Sequence, residues 1–412
     1  MRKKPELLAP AGNMEKLKVA VAFGADAVYL AGRFFGMRSM ADNFSDGEIV
    51  EAVSYCHAKG VKVYVTVNIM PRTDEYVKLA EYLKKLGEAG VDALIVSDIG
   101  VFMTAKELVP EIPLHISTQA CAVSAKTCSE WLKLGAERVV LARELTLSEV
   151  QKINNEIGDR GETEIFVHGS MCVAYSGRCL LSNYLTGRDA NHGACAQPCR
   201  WEYKVAEVEE VKRPGERLVV EESGGETMTF SSRDLCMIEH IPELIESGAS
   251  SFKIEGRMKS SCYAGIVTGA YRKAIDSWFE NPDAYRFDPM LMKQLESVCH
   301  REYCTGFFFG GYSDKFNICK TPGYIKEQSA LGICLGYDKV GKRASFMQKN
   351  KFSEGDTVEI VTPDMNTQRF KVSEIFLENG ERTVSVPHPK MIFEIDVPEE
   401  IPAYSILRMA DG

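Results

Sequence analysis

Short apolar runs alternate with amphipathic stretches along the chain as far as about residue 280. A recurrent phrase marks the junctions: Gly, a small or branched residue, a polar residue, then an apolar run. It reads Gly24-Ala-Asp-Ala-Val-Tyr-Leu30, Gly90-Val-Asp-Ala-Leu-Ile-Val96, Gly135-Ala-Glu-Arg-Val-Val-Leu141 and Gly248-Ala-Ser-Ser-Phe-Lys-Ile254, with Gly60-Val-Lys-Val-Tyr-Val-Thr66 a looser copy. Each copy follows a helix-like stretch. Between Asp74 and Ala89, for example, Tyr76, Leu79, Ala80, Leu83 and Leu86 share one helical face. Glycine between a helix end and a buried strand is the chemistry of an αβ loop.

Eight strands are predicted: Glu6–Ala9, Ala27–Leu30, Lys62–Asn68, Ala93–Ser97, Leu114–Thr118, Arg138–Ala142, Glu164–His168 and Ser251–Glu255. Buried strands alternating with helices specify a parallel sheet covered by helices. Their number points to an α/β fold, a (β/α)₈ TIM-like barrel, whose site lies at the C-terminal strand ends. An open doubly wound sheet is the runner-up, but no Gly-x-Gly-x-x-Gly follows the first strand. The barrel domain is expected over 1–280, with an insertion at 171–250 far longer than an ordinary βα connection. Its Glu-rich part, from Glu207 to Glu226, reads as a solvated hairpin. A linker is expected over 281–323, then a small β-barrel domain over 324–412, whose short strands are separated by turn signals such as Glu378-Asn-Gly-Glu381. There Lys339, Lys342, Arg343, Lys349 and Lys351 cluster around Phe346 and Phe352, either a solubilising edge or an RNA contact.

Composition narrows the class. The 412 residues carry 45% hydrophobic and 26% charged side chains, the balance of a soluble globular protein. No apolar run approaches the roughly 20 residues of a membrane span, and no secretory leader is evident, so a cytoplasmic protein without a membrane partner is expected. A net charge of −9 argues against general nucleic-acid coating and confines any RNA contact to a local patch. Thirteen cysteines, an odd number without an export signal, do not suggest a disulfide framework.

Four of those thiols fall in one window: Cys172 and Cys179, then Cys195 and Cys199, with Cys236 following in the same insertion. Four thiolates are what zinc or an iron–sulfur cluster requires, and the spacing alone favours neither. Cys56, Cys121, Cys128, Cys262, Cys299, Cys304, Cys319 and Cys334 read as small apolar residues of the core. Because Cys172 lies just past Glu164-Ile-Phe-Val-His168, the cysteine loop is expected to cap the functional face of the barrel.

The stretch Glu164-Ile-Phe-Val-His-Gly-Ser-Met-Cys-Val-Ala-Tyr-Ser-Gly-Arg-Cys-Leu-Leu-Ser182 resembles the signature of the peptidase U32 family. Leu7-Leu-Ala-Pro-Ala-Gly12, Gly36-Met-Arg-Ser-Met-Ala-Asp-Asn-Phe44, Cys199-Arg-Trp-Glu-Tyr203 and Lys253-Ile-Glu-Gly-Arg-Met-Lys259 extend the resemblance over nearly the whole chain. It implies one of two activities, a collagenase-like protease or an oxygen-independent hydroxylase holding an iron–sulfur (4Fe-4S) cluster on four cysteines. Length and the small C-terminal domain resemble the branch that hydroxylates the wobble uridine of transfer RNA with prephenate as hydroxyl donor. The implied ligands are Cys172, Cys179 and Cys195 with Cys236 as the fourth, although a thiol placed like Cys199 serves in another relative. Assembly with itself or with a second family member is a further implication.

A protease needs a nucleophile and a base or a metal-activated water, and Cys172 with His168 is the best dyad on offer. A hydroxylase needs an anion site for its donor. Arg33, Arg38, Arg143 and Arg257 stand at or just past predicted strand ends, and the planar guanidinium suits a dicarboxylate. His168 and Glu255 are the candidate proton-transfer groups, while Asn68, Asp98 and Gln119 supply polar rim positions. A non-catalytic RNA-binding factor with a structural metal is the third reading.

Overall fold

The computed structural model describes residues 3–38, 42–201, 208–209, 217–218, 232–310, 324–325 and 328–410. The chain opens with β1 (Glu6–Pro10), α1 (Met14–Ala22), β2 (Ala27–Leu30), α2 (Asp46–His57), β3 (Lys62–Val67) and α3 (Tyr76–Glu88). It continues with β4 (Ala93–Val96), α4 (Ile99–Leu108), β5 (Leu114–Ile116), α5 (Ala125–Leu134), β6 (Arg138–Val140), α6 (Leu147–Ile157) and β7 (Glu162–Ser170). The long connection carries α7 (Leu181–Thr186), the two-residue pair β8 (Val208–Glu209) and β9 (Arg217–Leu218), β10 (Asp234–Cys236) and α8 (Ile241–Glu246). Then come β11 (Ser251–Ile254), α9 (Ser261–Glu280), α10 (Pro289–Glu296) and β12 (Tyr303–Cys304).

Strands β1 to β7 pair in parallel in sequence order, and β11 closes the ring by pairing with both β7 and β1. The fold is thus the (β/α)₈ barrel that the alternating pattern implies. Helix starts are set locally. Asn13 accepts the Lys16 amide at the head of α1, and Ser45 with Glu48 and Thr146 with Glu149 form capping boxes for α2 and α6. Leu7, Val28, Val63, Leu94, Ile116, Val139, Ile165 and Phe252 pack outward against the helices in one continuous core.

Two features depart from expectation. The strand before the insertion runs on to Ser170, and β10 folds back antiparallel on its end, with Cys236 opposite His168 and Asp234 opposite Ser170. β12 extends that flap in parallel. The stretch read as a linker therefore contains α10 and β12, both docked on the barrel. Of the Glu-rich part of the insertion, only β8 and β9 fall among the described residues, and Cys319 lies outside them.

The C-terminal domain comprises β13 (Ala330–Asp338), β14 (Arg343–Gln348), β15 (Thr357–Val361), β16 (Thr367–Lys371), β17 (Ile375–Leu377), β18 (Arg382–Thr383), β19 (Ile392–Asp396) and β20 (Ile406–Met409). They form one antiparallel sheet in the order β16-β15-β20-β13-β14-β19-β17-β18 around Phe346, Phe352 and Phe393. The expected small β domain is thus present as one antiparallel sheet, and an isolated bridge between Ser353 and Ser385 ties the β14–β15 connection to the β18–β19 connection. The basic cluster is also altered. Phe346 and Phe352 are buried in the core, Lys339 pairs with Glu400, Arg343 with Asp396, and Lys349 with Glu15 of α1 at 2.6 Å. Arg408 reaches the Ser297 hydroxyl across the domain boundary at 2.7 Å.

Candidate active site at the barrel mouth

Alternation along the strands decides which side chains enter the barrel. On β11, Phe252 and Ile254 face the helices while Lys253 and Glu255 turn inward. The lower interior is closed by Arg138, which meets Glu6 at 2.5 Å, Glu162 at 2.7 Å and Glu164 at 3.2 Å. Lys253 donates to Glu164 at 2.8 Å and lies over the Tyr29 ring. Above this layer opens a chamber of about 80 Å³ lined by Arg38, Arg143, Lys253, Arg257, Glu255 and the polar groups of Thr66, Asn68 and Ser117. Four cations face one carboxylate there. The volume suits a small organic anion, well below the roughly 300–1,000 Å³ of a drug-sized site.

The arginines of the chamber contact neutral groups. Arg257, 4% exposed, donates to the Thr66 hydroxyl at 3.1 Å and makes no ion pair among the described residues. Burial, with the Arg38 charge nearby, lowers its pKa to about 10 against the attraction of Tyr29 and Glu255. Arg143 donates to the Ser170 carbonyl and the Ser176 hydroxyl, each at 2.8 Å. Tyr29 donates to the Ile254 carbonyl at 3.1 Å, its own ionisation opposed by burial.

A second chamber, again about 80 Å³, adjoins the first and shares Met37, Arg38, Gln119, Arg143 and Ser176 with it. Cys172, Cys179, Cys195 and Cys199 all line this second space. Burial raises the Cys199 thiol, Arg200 opposes that shift, and the other three thiols add to it, which places the four within electrostatic reach of one another. The Gln197 amide donates to the Cys195 sulfur at 3.4 Å, a contact that favours the thiolate. The loop is seated tightly: Gly177 has φ +74°, and a Cβ there would lie 2.6 Å from the Gln119 side-chain oxygen. Gly169, φ +106°, lets β7 pass the Glu255 backbone, where a Cβ would stand 2.3 Å from its carbonyl. Among the described residues no three Cys, His, Asp or Glu side chains converge on a point suited to one metal ion.

Several sequence-based assignments land elsewhere. Arg33 is exposed outside both chambers, its charge acting on Glu48 of α2. Asp98 caps α4 and accepts from Tyr76. Cys236 lies buried on β10 and does not line the thiol chamber; burial pushes its thiol up to about 12, with Tyr271 of α9 and Cys304 of β12 as neighbours.

 

His168 is likewise outside the mouth. A register shift at Phe166/His168 against Lys253/Ile254 turns its ring outward, among Tyr263, Tyr271 and Tyr303, and burial lowers it to about 3 so that it stays neutral. Its Nδ1 lies 3.5 Å from the Tyr271 hydroxyl, and among the described residues its Nε2 has no hydrogen-bond partner. The Cys172–His168 dyad is therefore not formed. Arg38, Arg143, Arg257 and Glu255 do come together, joined by Asn68 and Gln119. Sequence reasoning passed over Lys253 and Ser176. For Lys253 the signal was present, since it alternates with Phe252 and Ile254 and shares the inward phase of Glu255.

Comparison with known proteins agrees with this architecture. Residues 12–317 match peptidase family U32, and residues 326–408 match the peptidase family U32 C-terminal domain. The chain is 38% identical to tRNA hydroxylation protein P1 of Bacillus subtilis (strain 168), over 98% of this chain and 95% of the relative. It is 36% identical to tRNA hydroxylation protein P of Escherichia coli (strain K12), over 97% and 95%. The 23S rRNA 5-hydroxycytidine C2501 synthase of Escherichia coli (strain K12) is 38% identical over 78% of this chain and 47% of its own length. This chain belongs to peptidase family U32.

Proposed function

We propose that the protein is an RNA-modifying enzyme that hydroxylates a uridine of transfer RNA, at the wobble position, without molecular oxygen. The observation that carries this reading is the shared wall: Arg38, Arg143, Gln119 and Ser176 border both a cationic chamber and a chamber of four thiols. The names of the full-length relatives support the RNA hydroxylation.

The donor set fits an iron–sulfur cluster. Thiols are its usual ligands, and each thiolate binds a separate iron, so no common metal point is needed. Cys172, Cys179, Cys195 and Cys199 would hold it, and Cys199 replaces Cys236 in this role because Cys236 faces another compartment. When bound, such a cluster supplies one-electron redox chemistry. The remaining work falls to the chain. Arg38, Arg143 and Arg257 bind a dicarboxylate donor such as prephenate, with Lys253 as the cationic floor. Glu255, the one carboxylate of the chamber, is placed to move a proton. The narrow space keeps bulk water from the donor.

Two measurements test this reading. Protein purified without oxygen should contain about four irons per chain, and Cys199→Ser should lose them while Cys236→Ser keeps them. Nucleoside mass spectrometry should then detect 5-hydroxyuridine after incubation with unmodified transfer RNA and prephenate. Iron retained in Cys199→Ser overturns the ligand assignment. Unchanged uridine with the iron-loaded protein overturns the reaction.

A further inference from the structure

The cysteine lobe, residues 171–201, concentrates two features in a short stretch of chain. It exposes large apolar side chains: Tyr184 is 84% exposed, Leu185 51%, Leu180 49% and Trp201 41%. It is also basic within an acidic chain, with Arg178, Arg188 and Arg200 against the single carboxylate Asp189. Asp189 is already engaged by Arg72 at 3.1 Å. Exposed rings in such density mark an interaction surface, because isolated folding would bury them or replace them with polar groups.

The rings are spatially joined to the thiol chamber. Tyr175 lines it directly. The short turn Pro198–Arg200 packs beside α7, which bears Tyr184, and leads into Trp201. Arg200 donates to the Tyr324 hydroxyl at 3.1 Å, and the Lys259 ammonium lies 4.2 Å from the centre of the Tyr324 ring, itself half exposed. Arg200 is otherwise bonded to the neutral Gln197 side chain, so its charge is not cancelled there.

We infer that this rim seats a single-stranded loop of RNA, with bases stacked on Tyr184, Trp201 and Tyr324 and phosphates met by Arg178 and Arg200. The inference rests on the RNA-modifying reading above and names the surface that serves it. Alternating aromatic and cationic groups fit nucleic acid, since every base offers a face to an aromatic ring and every linkage a negative charge. An apolar protein partner would not call for the excess of arginine, and a rim of separate rings lacks the continuous apolar stripe of a membrane-surface helix. The basic cluster of the C-terminal domain is a weaker candidate, because its phenylalanines are buried and three of its cations are paired. A loop stacked beside Tyr175 brings one unpaired base to the entrance shared by the two chambers.

Fluorescence anisotropy of the full-length protein with a labelled hairpin RNA, bearing a uridine-containing loop, tests the surface. A blunt duplex of equal length serves as the comparison. The double variant Tyr184→Ala/Trp201→Ala should weaken loop binding about 100-fold, and Tyr184→Phe/Trp201→Phe should restore it, because stacking needs only a ring. Arg178→Gln should flatten the salt dependence by about one phosphate contact. Wild-type affinity in the double alanine variant overturns the proposal. So does equal affinity for the duplex, a rim that instead closes a dimer in sedimentation, or one that binds vesicles of anionic phospholipid. Tight loop binding without hydroxylation overturns the reaction and leaves the surface standing. Hydroxylation with unchanged affinity in the alanine variant does the reverse.

Discussion

The two ends of the barrel interior treat buried charge in opposite ways. At the floor, each cation has a carboxylate: Arg138 meets Glu6, Glu162 and Glu164, Lys253 meets Glu164, and the Tyr64 hydroxyl donates to Glu6 at 2.7 Å. At the mouth, Arg257 is as deeply buried as Arg138 yet among the described residues its guanidinium has only the Thr66 hydroxyl, and Arg143 reaches a carbonyl and a hydroxyl. A charge removed from water is unfavourable unless paired. The floor is closed electrostatically and serves to hold the strands. At the mouth, no carboxylate among the described residues forms an ion pair with Arg257 or Arg143, the arrangement that the proposed donor site calls for.

Removing one charge from each end separates these roles. Arg138→Met strands three carboxylates in or near the core and should lower the unfolding free energy by about 3–5 kcal/mol, read by urea denaturation. Arg257→Met should leave stability unchanged or raise it by about 1 kcal/mol, since an unpaired buried cation is replaced by an apolar side chain of similar length. Its effect should appear in kcat/KM for the carboxylate donor, down about 100-fold or more. If Arg257→Met unfolds the protein as readily as Arg138→Met, the two ends do not differ and the mouth cations are structural.

Much of this was legible in the sequence because local chemistry dictated it. The glycine phrases place helix ends and strand starts, and the eight barrel strands fall within a few residues of their predicted positions. The cationic chamber was partly visible, since Arg38, Arg143, Arg257 and Glu255 all follow strand ends. Misplacements arose where tertiary pairing sets direction. Strand spacing alone puts His168 in the mouth, but the extra residue Val167 in the pairing of β7 with β11 turns it outward. Cys236 belongs to the right insertion, yet its antiparallel pairing with β7 holds it against α9, away from the loop thiols. The lysine cluster of the C-terminal domain read as free because its partners Glu15, Asp396 and Glu400 are distant in sequence.

His168 offers the smallest and most specific test of the boundary between the two regions. Its ring is enclosed by Tyr263, Tyr271 and Tyr303, with Asp234 favouring its charge and His300 and Lys259 opposing it, and burial dominates. In the folded protein it stays neutral down to about pH 3, whereas in the unfolded chain it takes up a proton near pH 6.5. Between those values the unfolded state binds more protons, so stability falls as the pH drops. One such group contributes a slope of about 1.4 kcal/mol per pH unit. Urea unfolding of His168→Phe should lose that slope below about pH 6 while donor kinetics at neutral pH stay as in the wild type. An undiminished acid slope combined with lost hydroxylation would return His168 to the mouth, and the division between a structural wall and an anion-binding entrance would then have to be redrawn through β7.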